Sequence, residues 1–258
     1  MTVPRIAMTT PVGAAEAPLV VLGPSLGTST ILWEDVAPTL AADYRVVAWD
    51  LPGHGEAPAP EAPFTVGEIA DAVAEGIRAL GGAPVLYAGV SLGGAVGLEL
   101  ALRHPELVAR AAIVASGAQL GDPEAWHERA AQARSQSTSS LIVGSAQRWF
   151  APDSIARRPE LTGRLLHALQ NADDDGYARC CEALASYDVR GSLSSISLPI
   201  LAAWGELDAV APEAKAIEIA EGVRDGRAVR IDGAAHLPPA EQPDATARLL
   251  QEFFEGTK

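Results

Sequence analysis

Short apolar runs alternate with amphipathic stretches along most of the chain. Leu19 to Leu22, Tyr44 to Trp49, Val85 to Val90, Val108 to Ala115, Pro199 to Trp204 and Ala228 to Ile231 are such runs. Runs this short and this apolar are predicted to be strands covered on both faces, as in a parallel sheet. Between them, Val66, Ile69, Ala70, Val73, Ile77 and Leu80 recur at helical spacing. Thr65 with Glu68 three residues on makes a capping box, and Gly81-Gly82 is expected to stop that helix. Gly94 to His104 and Asp244 to Phe254 read as helices in the same way. Strands alternating with helices imply right-handed βαβ units, a mostly parallel central sheet and helices on both of its faces.

The alternation fails between about Gly121 and Ser192. Helical patterns continue there (Pro123 to Arg134, Ser140 to Phe150, Leu161 to Ala172, Gly176 to Ser186) without a clear strand. The predicted organisation is therefore a core formed by residues 1–120 and 194–258, with residues 121–193 inserted as a helical cap. A long insertion beside a sheet's carboxyl edge commonly serves as a lid.

Composition narrows the class. With 258 residues, 48% apolar and 20% charged, the chain has the makings of one large domain and excludes disorder and coiled coil. No apolar run reaches bilayer length, and Met1-Thr2-Val3-Pro4-Arg5 lacks the pattern of an export signal, so no membrane partner and a cytoplasmic location are expected. A net charge of −14 would be repelled by phosphate backbones, so nucleic acid is not an expected partner. Cys180 and Cys181 are adjacent and alone, which leaves neither a disulfide nor a cysteine metal site and suits two small buried hydrophobes.

The candidate chemistry begins at Gly89-Val90-Ser91-Leu92-Gly93-Gly94, a G-x-S-x-G match for which chance expects roughly 0.1 occurrences in such a chain. It lies where an apolar strand gives way to a helix, so the serine is expected on a strained turn with its hydroxyl above the sheet. A serine hydroxyl needs a neighbouring base, and the base an orienting carboxylate. Of the five histidines, His104 ends a helix, His127 and His167 lie on cap helices, and His54 sits in a Pro-Gly turn. His236 follows the last strand and so reaches the same carboxyl edge as Ser91. For the carboxylate, Glu206 and Asp208 both follow the penultimate strand; Asp208 is favoured, because four residues leave room to turn back toward the histidine. The backbone N–H groups of Leu92 and of Leu26, in Gly23-Pro24-Ser25-Leu26-Gly27-Thr28, are the expected oxyanion donors. There is no Walker loop, no G-x-G-x-x-G and no metal-ligand spacing, so neither a cofactor nor a metal is expected.

The order Ser91, Asp208, His236 is that of the α/β-hydrolases, and the predicted fold class is the α/β-hydrolase fold. More narrowly, the chain resembles 3-oxoadipate enol-lactone hydrolases. The resemblance runs through Ser25-Leu26-Gly27-Thr28 with Trp33, Gly53-His54-Gly55, the turn at Ser91, Gly205 with Asp208, and Ala235-His236-Leu237 with Glu241-Gln242. In the cap it rests on Trp126, Arg148-Trp149-Phe150 and Gly176-Tyr177-Ala178-Arg179-Cys180-Cys181. Pro24 and Pro52 depart from it, standing where the family usually has Asn and Arg. The resemblance implies a small anionic lactone or ester as the partner, opened through an acyl-enzyme during protocatechuate breakdown. It also suggests Trp126 and Trp149 as pocket walls and Arg148 as the holder of the substrate carboxylate. A generic carboxylesterase or perhydrolase, a carbon–carbon bond hydrolase and a non-catalytic receptor share the same core motifs.

Overall fold

The computed structural model describes residues 3–81 and 84–256. Each of the six apolar runs forms a strand: β2 (Leu19–Gly23), β3 (Arg45–Asp50), β4 (Val85–Val90), β5 (Val108–Val114), β6 (Ile200–Gly205) and β7 (Gly226–Ile231). They pair in parallel, and a two-residue strand β1 (Ala7–Met8) adds antiparallel to β3, giving the order β1-β3-β2-β4-β5-β6-β7. Two half-buried residues are too few for a periodic signal, which is why β1 is invisible in the pattern. The inner strands β2, β4 and β6 are buried along their whole length. β7 ends the sheet and exposes Arg227 and Arg230, charges that discourage pairing with another edge.

The helices are α1 (Ala37–Leu40), α2 (Val66–Ala79), α3 (Leu92–Arg103), α4 (Pro123–Gln136), α5 (Ile142–Trp149), α6 (Ser154–Arg157), α7 (Pro159–Asn171), α8 (Asp174–Ala185), α9 (Glu213–Gly222), α10 (Pro238–Glu241) and α11 (Pro243–Phe254). In α2 the capping box is complete, with Glu68 N–H donating to Thr65 Oγ1 (3.2 Å) and Thr65 N–H to Glu68 Oε2 (2.8 Å). Gly81 ends the helix at φ +70°; Gly82, like Met1 and Thr2, lies outside the described residues. α3 begins two residues before the apolar pattern suggests, because Gly93 carries no hydropathy signal. No helix among the described residues is long and apolar enough to cross a membrane.

Helices α4 to α8 all lie between β5 and β6 and pack on the loops at the sheet's carboxyl edge. Asp173 N–H donates to Gly53 O (2.8 Å), and Val189 N–H to Ala118 O (2.8 Å). Arg164 pairs with Glu34 at 2.7 Å, and Arg158 with Asp35. Cys180 and Cys181 are free and wholly buried in α8. Beneath that helix, His54 is 1% exposed, stacks on Tyr177 at 6.0 Å between centroids, and donates from Nδ1 to Pro52 O at 3.0 Å. Its Nε2 has no partner among the described residues.

Burial drives the His54 imidazole down to about 4, against the opposing pull of the Pro52 carbonyl. The folded protein thus keeps His54 neutral between pH 6.5 and 4 while the unfolded chain binds a proton. Stability is lost as the pH falls through that window, by about 3 kcal/mol from this residue. In urea titrations at stepped pH, the His54→Asn protein is expected to lack this part of the acid slope. An unchanged slope would contradict the assignment.

Candidate active site

At the end of β4 the chain turns sharply into α3 through Ser91, which holds φ +54° and ψ −113°, a conformation rarely tolerated by a residue with a Cβ. Two hydrogen bonds over-determine it: Ser91 N–H donates to Val114 O (2.9 Å), and Ser116 Oγ donates to Ser91 O (2.7 Å). The flanking glycines are needed for space. A Cβ on Gly89 would lie 2.2 Å from the Gly93 carbonyl oxygen, and one on Gly93 would lie 2.5 Å from that of Pro24. Through that second gap Gly93 N–H donates to Pro24 O at 2.9 Å, which ties the turn to the loop after β2.

That loop is braced internally: Ser25 N–H donates to Thr28 Oγ1 (3.1 Å), and Thr28 Oγ1 donates back to Ser25 O (2.8 Å). Leu26 and Leu92 are both buried. Leu92 is the first residue of α3, so its N–H has no carbonyl a turn earlier to bond. Among the described residues no hydrogen bond takes up the N–H of Leu26 or of Leu92. A developing oxyanion requires backbone amides free of other partners.

The imidazole and carboxylate come from the ends of β7 and β6. His236 Nδ1 lies 3.0 Å from Asp208 Oδ2 and 3.2 Å from Oδ1, with the two residues 2% and 5% exposed. Glu206, the other candidate, instead accepts from Gly233 N–H at 3.0 Å on the surface. Burial works to raise the Asp208 carboxyl. The adjacent His236 ring and the N–H groups of Ala211 and Val210 outweigh it and hold the carboxyl below its ordinary range. A charged acceptor at Nδ1 fixes the proton there and leaves Nε2 as the basic nitrogen. His236 N–H donates to Trp149 O at 3.1 Å, and Trp149 packs where a Cβ on Gly27 would sit, 3.2 Å from its ring. Ser91 follows β4 and His236 follows β7, both at the carboxyl edge of the parallel sheet; among the described residues no hydrogen bond joins Ser91 Oγ to the His236 ring.

Trp149 is 5% exposed, whereas Trp126 is half-buried and donates from its indole to Leu120 O. Arg148 is half-buried, and among the described residues its Nη2 donates only to Ser145 Oγ, at 3.3 Å. Arg129 lies over the Trp126 ring at 4.8 Å and was not anticipated from the sequence; its spacing of three from Trp126 on one helix face was the available signal. Burial, and then the like charge of Arg129, lower the Arg148 pKa. Both guanidiniums also bear on the buried Tyr177 hydroxyl. They line a cavity of about 280 Å³ between α4 and α5 with Gln132 and Ser140. Among the described residues, ion pairs engage Arg134, Arg158, Arg164, Arg179 and Arg190 of the cap but not Arg129, Arg148 or Arg157, the last of which bonds Ser154 Oγ. His127 and His167 are exposed on α4 and α7. No group of three or more His, Cys, Asp or Glu side chains among the described residues could hold a metal ion.

Parallel sheet, strained serine turn and helical insertion together define a class, and the chain belongs to the alpha/beta hydrolase fold family, whose model matches residues 18–243. Within it, the chain is 32% identical over 243 residues to 3-oxoadipate enol-lactonase 2 of Acinetobacter baylyi, covering 94% of this chain and 91% of that protein. It is also 32% identical over 237 residues to a pimeloyl-[acyl-carrier protein] methyl ester esterase of Neisseria meningitidis serogroup C, covering 89% and 91%. Among solved structures, the enol-lactonase from Burkholderia xenovorans LB400 superposes with a TM-score of 0.93 at 30% identity, covering 97% of this chain and 96% of that one.

The packing at the serine turn makes a stability test. Gly93→Ala must push its Cβ into the Pro24 carbonyl and is expected to cost about 3 kcal/mol in urea unfolding. Gly163, inside α7 with nothing within 4 Å of the place a Cβ would take, should gain up to about 1 kcal/mol as Ala. Equal effects at the two sites would contradict the close approach.

Proposed function

We propose that the protein is a serine hydrolase that opens a small carboxylated enol-lactone, converting 3-oxoadipate enol-lactone to 3-oxoadipate in protocatechuate breakdown. The observation that carries the hydrolase part is the buried His236–Asp208 pair on the same sheet edge as the strained Ser91. Ser91 Oγ attacks the lactone carbonyl while His236 Nε2 takes its proton. Asp208 keeps the imidazole in the right tautomer and stabilises the imidazolium. The N–H groups of Leu26 and Leu92 stabilise the tetrahedral oxyanion, each by about 3 kcal/mol. The ring C–O bond then breaks, the enol oxygen leaves with the proton from His236, and the enol relaxes to the ketone. Water, deprotonated by His236, attacks the acyl carbon and releases Ser91 and the acid.

The lactone part is supported by similarity to enol-lactonases and by charge. An anion approaching a protein of net charge −14 needs a local cation. Arg148, with Arg129 beside it, is a guanidinium with no carboxylate of its own among the described residues, near the Tyr177 ring that packs on Gly27. In this reading Arg148 holds the carboxylate and Trp149, which packs against Gly27 of the Leu26 loop, walls the pocket, while the Trp126 ring lies under Arg129.

Two measurements test this reading. The enol-lactone, generated in situ, should disappear with a kcat/KM at least about 100-fold above that for p-nitrophenyl acetate, and Ser91→Ala should lower the rate by at least about 1,000-fold. Equal rates on the two substrates would overturn the lactone assignment, and an active Ser91→Ala would overturn the mechanism. Arg148→Gln should raise KM for the anionic lactone by about 10- to 100-fold and leave neutral p-nitrophenyl acetate unchanged. A loss shared by both substrates would remove the carboxylate role.

A further inference from the structure

Glu241 is 4% exposed, ends the one-turn helix α10, and belongs to no ion pair among the described residues. Its carboxylate is surrounded by donors. Oε2 accepts from the N–H of Ala235 at 2.8 Å and of Leu237 at 3.4 Å, the two residues that flank His236. Oε1 accepts from the N–H of Ala151 at 2.7 Å and from Ser154 Oγ at 2.7 Å, on the chain that leaves α5 of the cap. His236 itself donates from its N–H to Trp149 O. Three consecutive N–H groups, of residues 235, 236 and 237, are therefore held either by the cap or by a carboxylate that the cap also holds.

We propose that Glu241 is a positioning residue that couples the imidazole of His236 to the cap. One oxygen clamps the histidine loop and the other clamps residues 151–154, so the segment from Trp149 to Ser154 and the loop from Ala235 to Glu241 move as one body. Pro238 and Pro239 stiffen the short helix that carries the carboxylate. Ser91, His236, Asp208 and Trp149 are all buried, so any cap movement that admits substrate must leave the base in place. The staple makes the α5 exit the fixed side of that motion and keeps the base aligned while the opposite side opens. It also explains why a carboxylate is needed: both oxygens must accept, and an amide presents two hydrogens to one set of donors whichever way it turns.

The inference rests on the serine-hydrolase reading, so the experiment reads the two separately. Turnover of p-nitrophenyl acetate is measured for wild type, Glu241→Gln, Ser154→Ala and, as a control on the exposed face of α5, Val143→Ala. The downfield Nδ1–H resonance of His236 is followed through a pH titration of each protein. Glu241→Gln is expected to lower kcat by about 10- to 100-fold with KM changed less than about 3-fold, and to shift both the pH midpoint of kcat and the His236 resonance. Ser154→Ala removes a donor only on the cap side. It is expected to lower kcat by about 3- to 10-fold and to move the same resonance, which a carboxylate serving only the histidine loop would not allow. If Glu241→Gln fails to fold, Ser154→Ala decides alone. A resonance, pH midpoint and kcat identical to wild type in Ser154→Ala would overturn the coupling. Wild type without esterase turnover would overturn the hydrolase reading, while the resonance still decides the coupling.

Discussion

Asp208 is a carboxylate kept charged at the end of β6 with almost no contact with water, and the carboxyl edge of the sheet is organised around meeting that demand. An isolated charge so placed would cost several kcal/mol or would simply take up a proton. Here it has two backbone N–H groups from its own turn, Val210 and Ala211, and the Nδ1–H of His236. The last of these comes from another strand, so the fold must deliver His236 with its ring oriented. It does so by pinning the loop: Gly205 approaches Ala235 so closely that a Cβ would lie 2.0 Å from its carbonyl oxygen, and the N–H of His236 is taken by the cap. The electrostatics of one carboxylate thus link β6, β7 and the helical insertion.

Much of this is legible in the sequence because the signals are local. Apolar runs bounded by Gly and Pro mark the six main strands. The G-x-S-x-G spacing marks the serine turn, and chain order along a parallel sheet puts the residues after β4, β6 and β7 at one edge. Choosing Asp208 over Glu206 rests on how far a turn can reach, which is also a local property. The parts that were not legible depend on contacts between distant segments. Arg129 becomes notable only when it is seen that Arg134, Arg164 and Arg179 of the cap find carboxylates and it does not, among the described residues. Glu241 stands out in the sequence only as part of the resemblance at Glu241-Gln242; its contacts come into view when Ala151 and Ser154, some ninety positions away, are brought to it. Ser116, which steadies the Ser91 carbonyl, lies in an ordinary Ala-Ser-Gly stretch.

The charge distribution of the cap bears on selectivity. Ion pairs of Arg134, Arg158 and Arg164 hold cap helices to one another or to the core, those of Arg179 and Arg190 are local, and exposed pairs of these kinds contribute little individually. Leaving Arg148 half-buried beside the like charge of Arg129 is unfavourable. Under the proposed function, an anion bound between the two would relieve that repulsion, and selectivity for an acid-bearing substrate would come from the cap while bond breaking stays with the sheet edge. This division matches a family in which similar cores serve lactones and methyl esters.

The most direct measurement is a crystal structure of the protein after reaction with a small alkyl fluorophosphonate, which mimics the tetrahedral intermediate. The expected density joins phosphorus to Ser91 Oγ, with the phosphoryl oxygen about 2.7 to 3.1 Å from the N–H groups of Leu26 and Leu92 and His236 Nε2 within hydrogen-bond reach of the ester oxygens. An unmodified Ser91, or an adduct whose oxygen turns away from both amides and from the imidazole, would contradict the assignment of this edge as the place of reaction.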